Sequence, residues 1–478
     1  MAQALGISPQ YGFSTGPVHS CPICRLPHEL LGHIFRLAQR HQLGELEDDD
    51  DDSDYSTVKT QPVEVVVSQV NLYFRDIALG TRVLWRHINL GQNDSVEKLR
   101  MYLARSGPRV PLHLRLDLTR GIAALTEKLD LVFEQLDRWQ RFTIHSKIET
   151  SDVPVISRLY DASAPLLEQL GLCVDDVDSE NLKSVRRADS EQILTQGCPR
   201  LTVLRLRGLS MHFFRPPIPN ITTLYLEQTR GLFIGYEGFK DLLTAAPALA
   251  HLSIFDAIID EGADTWPTDS VSCIPVPNLI SLRLSIPGTL QHVFSDILIS
   301  ISAPRLEYLV LRDVGETHLD KFWQLPGVAH KFPALHSLTF LEFDIRETDR
   351  LVMICGALPG ITEFTCASST SYAPTLLLIM AGKSPTSVEN LWPNLCTLNM
   401  TLDIEDLGIA KAAVERRLGS GHLLKTLRLS RDVFDYADEE EEETLEWLGG
   451  NLVIEPFLAI ARWPPGSDYD PDDTWFTN

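Results

Sequence analysis

Short stretches in which leucine alternates with polar residues are the most regular pattern in this chain. One of them, CPRLTVLRLRGL at 198–209, places apolar residues at Leu204 and Leu206 shortly after a proline. Successive side chains of a β-strand point to opposite faces, so Leu204 and Leu206 share one face. Arg205 and Arg207 then lie on the other face. A proline suits the strand entrance because it cannot donate a hydrogen bond to the sheet. The pattern predicts a short strand with one buried face.

The same pattern returns along most of the chain. It recurs at 164–172, 218–228, 246–255, 276–285, 303–312, 332–341, 358–367, 392–401 and, without the proline, 422–430. The prolines lie mostly 26 to 34 residues apart, which is the period of leucine-rich repeats with one strand and one return each. Because one strand cannot bury its apolar face alone, successive strands should stack into a parallel sheet covered by the returns. The sequence predicts an α/β leucine-rich-repeat solenoid with parallel strands on its concave face.

The repeats divide the chain into segments of different character. With 478 residues the chain is too long for one compact domain. We expect a disordered leader at 1–20, a small all-α module at 21–90 and the repeat solenoid at 96–430. An acidic run, a terminal cap and a flexible tail are expected at 431–478.

The chain is strongly acidic, with a formal net charge of −23. This charge argues against nucleic acid as a partner, because surfaces that bind nucleic acid are basic. Much of the negative charge comes from an insertion at 45–54 in the all-α module and from Asp435–Glu443. Such runs are typical of solvated, mobile loops, and the alternative is docking to a basic partner surface or loose cation binding.

Three features of the sequence indicate the cellular compartment. No stretch of about 18 or more uncharged apolar residues occurs, so no membrane span is expected. The first residues lack a basic region followed by an apolar core, so no secretory signal is predicted. The eight cysteines are scattered, which suits reduced thiols. We expect a cytoplasmic or nuclear protein without a membrane partner.

Residues suited to catalysis or metal binding occur singly or in incomplete motifs. Cys21 and Cys24 form a C-x-x-C pair, but no second pair follows at the spacing of a zinc site, so a loop is favoured over a metal site. The GKS at 382–384 resembles the end of a phosphate-binding loop, yet Leu377 stands where that loop needs glycine. We assign no catalytic residue, cofactor or metal and predict a protein that is not an enzyme. An enzyme built on the solenoid is the alternative.

A helical pattern precedes the repeats. Leu26–Arg40 has apolar residues at helical spacing and a proline in its first turn, and further apolar runs follow from Val63 to Trp85. The distinctive residues are Leu26-Pro27, Glu29-Leu30-Leu31, Ile34-Phe35, Val67-Ser68-Gln69-Val70, Phe74-Arg75-Asp76-Ile77-Ala78 and Leu84-Trp85. On these residues the segment resembles an F-box, specifically the F-box-like module that opens many repeat proteins of mushroom-type fungi.

The resemblance implies a Skp-type adaptor as partner and, through it, a cullin-RING ubiquitin ligase. The adaptor-binding residues that it implies are Leu26, Pro27, Glu29, Leu30, Ile34, Phe35, Val70, Phe74, Leu84 and Trp85. The expected function is that of a substrate-recognition subunit of an SCF-type ligase, which holds a target near chemistry carried by other subunits. Two alternatives stay open. The same residues could cap the end of the solenoid, or the chain could be a leucine-rich-repeat interaction scaffold with a degenerate F-box and no ligase role.

Strand positions that point away from the leucines should line the concave face, the usual partner surface of repeat arrays. These positions carry several arginines in an otherwise acidic chain. We hypothesise a basic stripe with aromatic neighbours that binds an acidic or phosphorylated segment of a target protein through arginine–oxyanion hydrogen bonds. Its residues are Arg205, Arg207, Tyr225, Phe255, Arg283, Arg312 and Arg428. The alternative is that exposed strand positions simply accept arginine.

Overall fold

The chain forms two compact units. The first contains residues up to Ile88 together with Glu97–Val110, and the second contains Asn89–Val96 and nearly all residues from Pro111 onward. The computed structural model describes residues 22–45, 61–91, 94–119, 124–147, 152–175, 191–208, 214–227, 235–256, 266, 273–285, 293–315, 317–343, 345, 347–367, 373–383, 391–457 and 463–465. The predicted leader, most of the predicted acidic insertion and the tail beyond residue 465 lie outside these ranges.

The first unit is built from helices. They are α1 (His28–Glu45), α2 (Val63–Val70), α3 (Leu72–Gly80) and, from its second residue on, α4 (Val96–Ser106), with 3₁₀ turns at Pro22–Arg25 and Arg82–Trp85. Asn71 separates α2 from α3, and its side-chain oxygen accepts a hydrogen bond of 2.8 Å from the backbone N–H of Phe74. This contact satisfies one of the donors that a helix start leaves unpaired, so Asn71 fixes where α3 begins.

The second unit is built on a parallel sheet of 14 strands, the first of which begins with His87 and Ile88, two residues assigned to the first unit. The strands are β1 (His87–Leu90), β2 (Leu112–Asp117), β3 (Trp139–Lys147), β4 (Gln169–Asp175), β5 (Val203–Gly208), β6 (Thr223–Glu227), β7 (His251–Phe255), β8 (Ser281–Ser285), β9 (Tyr308–Arg312), β10 (Ser337–Leu341), β11 (Glu363–Ala367), β12 (Thr397–Met400), β13 (Thr426–Ser430) and β14 (Val453–Phe457). Their order in the sheet follows their order in the chain. Each repeat therefore adds one strand beside the previous one, as the periodicity predicts.

The leucine pattern sets the register of the sheet. Leu204 pairs with Leu224, and Leu282 pairs with Leu309. In a parallel, in-register sheet such residues form columns on one face, and these four leucines are buried. The α/β class and the long parallel sheet are confirmed.

Helices occupy many of the returns between strands. They are α5 (Leu125–Phe133), α6 (Asp152–Leu159), α7 (Tyr236–Ala245), α8 (Val293–Ser300), α9 (Asp320–Trp323), α10 (Thr348–Ala357), α11 (Ala373–Met380), α12 (Leu407–Gly419), α13 (Asp432–Asp435) and α14 (Glu439–Asn451). Two small parallel sheets pair Glu191–Gln192 with Phe214–Arg215 and Ile274–Pro275 with Ile301–Ser302. Across the described ranges, no helix is both long enough and apolar enough to cross a membrane.

A buried arginine fixes one of these returns. Arg417 of α12 donates hydrogen bonds to the carbonyl oxygens of Leu391, Trp392 and Leu395, at 2.9, 3.1 and 3.2 Å. Trp392 has a φ of 43°, in the left-handed region, and its carbonyl oxygen also accepts a hydrogen bond of 3.0 Å from the backbone N–H of Leu395. Arg417 therefore supplies further donors to the buried carbonyl groups of this turn. Burial lowers the pKa of the Arg417 guanidinium below its ordinary value.

The acidic run near the carboxyl end is largely helical, and the prediction of a mobile loop is wrong there. Glu439–Glu443 begin helix α14. The Asp438 side chain accepts from the backbone N–H groups of Glu440 and Glu441, while the Glu441 side chain accepts from the backbone N–H of Asp438. Negative charge is also favourable at the positive end of the helix dipole. Capping and dipole together offset the repulsion among the glutamates.

Candidate protein-interaction site

One face of α1 packs inside the first unit. Leu31, Phe35 and Gln39 follow one another at intervals of four residues, and all three are buried. This spacing places side chains on a single helix face. The Phe35 ring lies 5.2 Å from the ring of Phe74 on α3, measured between centroids. The face therefore forms the contact between α1 and the other helices.

A second set of apolar residues in the first unit is exposed. On α1, Leu30, Ile34 and Leu37 are 51%, 39% and 48% exposed, and their spacing places them together on one side of the helix. We call the whole set the exposed apolar surface, and it comprises Ile23, Leu30, Ile34, Leu37, Val66, Val70, Leu72, Leu79 and Val83. Most of the exposed large apolar side chains in the described ranges belong to it. A contiguous exposed apolar stripe such as that of Leu30, Ile34 and Leu37 is typical of a protein-interaction site.

The predicted adaptor-binding residues divide into two groups. The accessible group is Pro27, Glu29, Leu30, Ile34 and Val70, with Leu26 half-buried. The buried group is Phe35, Phe74, Leu84 and Trp85. Side chains with almost no accessible surface cannot contact a partner, so the predicted adaptor contact of the buried group is corrected to a role in the core. Adaptor binding by the accessible group stays a prediction.

The sequence prediction missed part of the exposed apolar surface. Leu37 follows Ile34 by three residues, and Val66 precedes Val70 by four. Both are exposed. Helical spacing from a predicted residue was the signal that could have found them.

A buried polar group joins three helices of the first unit. The carboxylate of Glu64 on α2 accepts hydrogen bonds from the Gln39 side-chain amide of α1 and from the Tyr102 hydroxyl of α4, each at 2.8 Å. The Gln39 amide also donates to the carbonyl oxygen of Leu84 at 2.8 Å. Each carboxylate oxygen of Glu64 thus has a donor, as a buried carboxylate requires. The only sequence signal was a single glutamate inside the apolar run VEVVV.

Trp85 packs against the same helices. Its indole Nε1–H donates to the carbonyl oxygen of Ala78 at 2.9 Å. Its ring contacts that of Tyr102 edge-on at 5.3 Å, and the Arg105 guanidinium lies over it at 4.3 Å. These contacts within the first unit explain why a tryptophan stands at this position.

On the sheet face opposite the leucine columns, the register aligns polar and aromatic residues. Arg205, Tyr225, Ser253 and Arg283 occupy equivalent positions of β5, β6, β7 and β8, and we call them the arginine–tyrosine row. The guanidinium carbons of Arg205 and Arg283 lie 4.2 and 5.4 Å from the Tyr225 ring centroid. Arg283 Nε donates to the Ser253 hydroxyl at 2.7 Å. Tyr225 thus makes cation–π contacts with two arginines.

Glu227 offsets part of the positive charge of this row. Its Oε1 lies 3.4 Å from Nη1 of Arg205, and its Oε2 lies 3.9 Å from Nη1 of Arg207. The 3.4 Å contact does not have hydrogen-bond geometry, so we treat it as an electrostatic attraction between buried groups. The predicted basic stripe is therefore partly neutralised at this end.

Trp463 covers the arginine–tyrosine row. Its ring lies 4.4 Å from the Arg283 guanidinium carbon and contacts the rings of Tyr225 and His251 edge-on at 5.2 and 6.1 Å. Trp463 is 6% exposed, and Arg205, Tyr225 and Arg283 are 1%, 2% and 1% exposed. The expectation that these three residues line an open surface is therefore wrong. Strand alternation places them on the predicted face, but that face is covered here.

Two further arginines of the predicted stripe have acidic partners. Arg428 Nε donates to the Glu455 carboxylate at 2.8 Å, and its Nη1 lies 3.8 Å from the Glu363 carboxylate. Arg312 Nε lies 3.6 Å from the Asp313 carboxylate. An oxyanion ligand at these positions would have to compete with carboxylates of the chain itself.

The remaining predicted residue, Phe255, belongs to an apolar cluster on the same face. It packs with Val310 and Phe457 against the buried pair Leu341 and Ala367. This face of the sheet therefore holds a guanidinium–aromatic part and an apolar part. Neither part is a continuous basic stripe.

Isolated histidines and cysteines do not assemble into a metal site in the described ranges. His251 Nδ1 lies 2.8 Å from the Ser281 hydroxyl, and burial lowers the pKa of His251 below its ordinary value. Cys24 is half-buried, with Asn71 Nδ2 4.0 Å from its sulfur. No group of three or more His, Cys, Asp or Glu residues in those ranges is placed to hold a metal ion. Cys21 lies outside them.

The chain matches no protein-family model and no curated protein. Among solved structures, the crystal structure of a protein from Bacteroides fragilis aligns with 68% of this chain and 68% of its own. The two are 17% identical, and the TM-score is 0.28. A TM-score this low supports no conclusion about fold or function.

Proposed function

We propose that this protein is the substrate-recognition subunit of an SCF-type, cullin-RING ubiquitin ligase. The first unit is an F-box-like module that binds a Skp-type adaptor, and the repeat sheet is a leucine-rich-repeat solenoid that binds the target protein. The subunit acts by proximity, because it brings the target to ubiquitin-transfer chemistry carried by other subunits. This function requires no catalytic residue in the chain.

The exposed apolar surface is the observation that carries this proposal. Leu31 and Phe35 already supply the apolar contacts that α1 needs for packing, so folding alone does not explain why Leu30, Ile34 and Leu37 are apolar as well. Removing apolar area from water is worth about 25 cal/mol per Å². Covering several such side chains would drive the binding of a partner. Their place in the segment that resembles an F-box supports a Skp-type adaptor as the proposed partner.

Co-purification with a recombinant Skp-type adaptor tests the proposal. Leu30→Asp combined with Ile34→Asp puts charges on the exposed side of α1 and leaves the packed side intact. We expect this variant to fold and to lose adaptor affinity by at least about tenfold, equivalent to about 1.4 kcal/mol. Substitution of Phe35 would be a poorer test, because Phe35 belongs to the core and its loss would unfold the unit.

A matched control uses exposed apolar residues of the second unit. Met353 and Leu423 are 44% and 59% exposed, so Met353→Asp combined with Leu423→Asp introduces the same charges away from the exposed apolar surface. This control should bind the adaptor as the wild type does. Equal binding by the Leu30/Ile34 variant, or no binding by a folded wild-type chain, would contradict the proposal.

An interaction scaffold without a ligase role is the second candidate. The burial of Phe35, Phe74, Leu84 and Trp85 favours it, because packing inside the first unit is sufficient reason for these four residues. A scaffold would not co-purify with the adaptor in either the wild type or the variants. The same experiment therefore separates the two functions.

A further inference from the structure

Trp463 docks on strands that are remote from the one that precedes it. The last strand, β14, ends at Phe457, whereas Trp463 contacts residues of β6, β7 and β8. In the sheet, β8 and β14 are six places apart. The contacts of Trp463 are therefore not part of the stacking of successive repeats. Trp463 belongs to a separate segment that binds the face of the sheet.

The residues that receive Trp463 have the chemistry of a site for an aromatic side chain. We call Tyr225, His251 and Arg283 the aromatic pocket. The Arg283 guanidinium lies over the indole ring, and cation–π attraction is strongest for tryptophan. Tyr225 and His251 meet the indole edge-on, a favoured geometry for aromatic pairs. The hydrogen bond from Arg283 to Ser253 holds the guanidinium in place.

Trp463 occupies the aromatic pocket with one polar group unsatisfied. Its indole N–H is buried and has no hydrogen-bond partner among the described residues. A buried tryptophan N–H usually finds a partner, and an unpaired one weakens the contact. Among the three described residues of this segment, Trp463 is buried, Pro464 is half-buried and Pro465 is exposed, so Trp463 is the most deeply buried of the three. A similar side chain from another segment could therefore replace Trp463.

We propose that the aromatic pocket is a binding site for a tryptophan-containing peptide segment and that Trp463 is its intramolecular occupant. A target would insert a tryptophan between Arg283, Tyr225 and His251 after Trp463 leaves. The ligand chemistry differs from the phosphorylated segment expected from the sequence, because the guanidinium groups of this row already contact aromatic rings and Glu227. The aromatic pocket would be the target-binding site of the proposed function. Only the identification of its ligand as a ligase target rests on that function.

A fluorescently labelled peptide with the sequence of residues 460–467, IARWPPGS, provides the probe. Fluorescence anisotropy would measure its binding to the full-length wild type and to the variants Trp463→Phe and Trp463→Ala. Because a tethered occupant competes at high effective concentration, we expect Trp463→Ala to bind the peptide at least about tenfold more tightly than the wild type. A peptide with alanine in place of its tryptophan is the control and should not bind.

Trp463→Phe and an added Arg283→Met substitution keep the experiment decisive. If Trp463→Ala does not fold, Trp463→Phe retains a ring that binds Arg283 less well, so it should take up the peptide more tightly than the wild type. Adding Arg283→Met to whichever Trp463 variant folds should remove the increase in peptide affinity. A folded Trp463 variant that binds no more tightly than the wild type overturns the proposal and leaves Trp463 as a structural cover.

The peptide experiment and the adaptor experiment can fail independently. Peptide binding involves residues of the second unit, whereas adaptor binding involves the exposed apolar surface of the first. A chain that binds the peptide but not the adaptor would retain the aromatic pocket and lose the ligase role.

Discussion

The hydroxyl of Tyr102 donates a hydrogen bond of 2.8 Å to the buried carboxylate of Glu64. This bond joins α4 to α2, and the Gln39 amide joins α1 to the same carboxylate. Burying a carboxylate is costly unless its oxygens are hydrogen-bonded, so the helices pack favourably only where these groups meet. The first unit therefore depends on specific polar contacts as well as on buried apolar area.

Tyr102→Phe should lower the free energy of unfolding by about 1–3 kcal/mol, because it leaves one buried oxygen of Glu64 without this donor. The substitution keeps the ring that contacts Trp85. Urea unfolding followed by circular dichroism would measure the change. Tyr73→Phe is a matched control, since the Tyr73 hydroxyl donates to the carbonyl oxygen of Leu26 at a half-buried position. Tyr73→Phe should lower the free energy of unfolding by less than Tyr102→Phe does. Equal decreases would argue against a special role for the buried Glu64 carboxylate.

The sheet could be predicted from the sequence because its causes are local. Each leucine pattern defines a strand by itself, and the pairing of Leu282 with Leu309 follows when the pattern repeats one period later. The prediction of a mobile loop for the acidic run is wrong because net charge alone does not reveal the capping contacts of a helix. Asp438 and Glu441 bind each other's backbone N–H groups, and this makes the run a helix start.

The candidate sites were only partly predictable, because burial depends on what packs against a residue. Strand alternation placed Arg283 on the correct face, but the residue that covers it, Trp463, lies far along the chain and outside the repeat pattern. In α1, the helical spacing assigns both Leu30 and Phe35 to one apolar stripe. Only the positions of the other helices determine that Phe35 is buried and Leu30 is exposed.

Arg417→Lys should lower the free energy of unfolding by about 1–3 kcal/mol. The guanidinium spans three carbonyl oxygens, and a lysine ammonium cannot reproduce that planar fork. The carbonyl oxygens of Leu391 and Leu395 would lose the geometry of their Arg417 donors, whereas that of Trp392 also accepts from the backbone N–H of Leu395. Arg431→Lys is the matched control, because the exposed pair of Arg431 with Asp435 is worth at most about 1 kcal/mol. Both changes can be measured by urea unfolding. A loss at Arg431 as large as that at Arg417 would contradict the argument.

The buried cysteines should resist alkylation in the folded protein. Burial raises the pKa of Cys198 to about 11 and that of Cys366 to about 12, and it also raises the pKa of Cys355. The thiolate is the reactive form, so these residues should react slowly with iodoacetamide at about pH 8. Cys24, Cys273 and Cys396, which are half-buried, should react first. Peptide mass spectrometry would give the order, and urea should abolish it. Fast reaction of native Cys366 would be inconsistent with its burial.

Acidification should destabilise the second unit through His251. Burial lowers the pKa of His251, so the unfolded chain binds a proton at a higher pH than the folded chain does. The stability that the neutral imidazole contributes is complete above the unfolded pKa of about 6.5. It is lost as the pH falls toward the lower folded value, at no more than about 1.4 kcal/mol per pH unit for one proton.

His251→Gln removes this titration and keeps a polar group that can hydrogen-bond to Ser281. Between about pH 7.5 and 5.5, the free energy of unfolding of the wild type should therefore fall more steeply than that of the variant. Urea unfolding at each pH would measure both slopes. Other groups that titrate over this range contribute to both proteins, so the difference between the slopes isolates His251. Parallel slopes would show that the imidazole has the same proton affinity in the folded and unfolded chains, contrary to its burial beside Trp463.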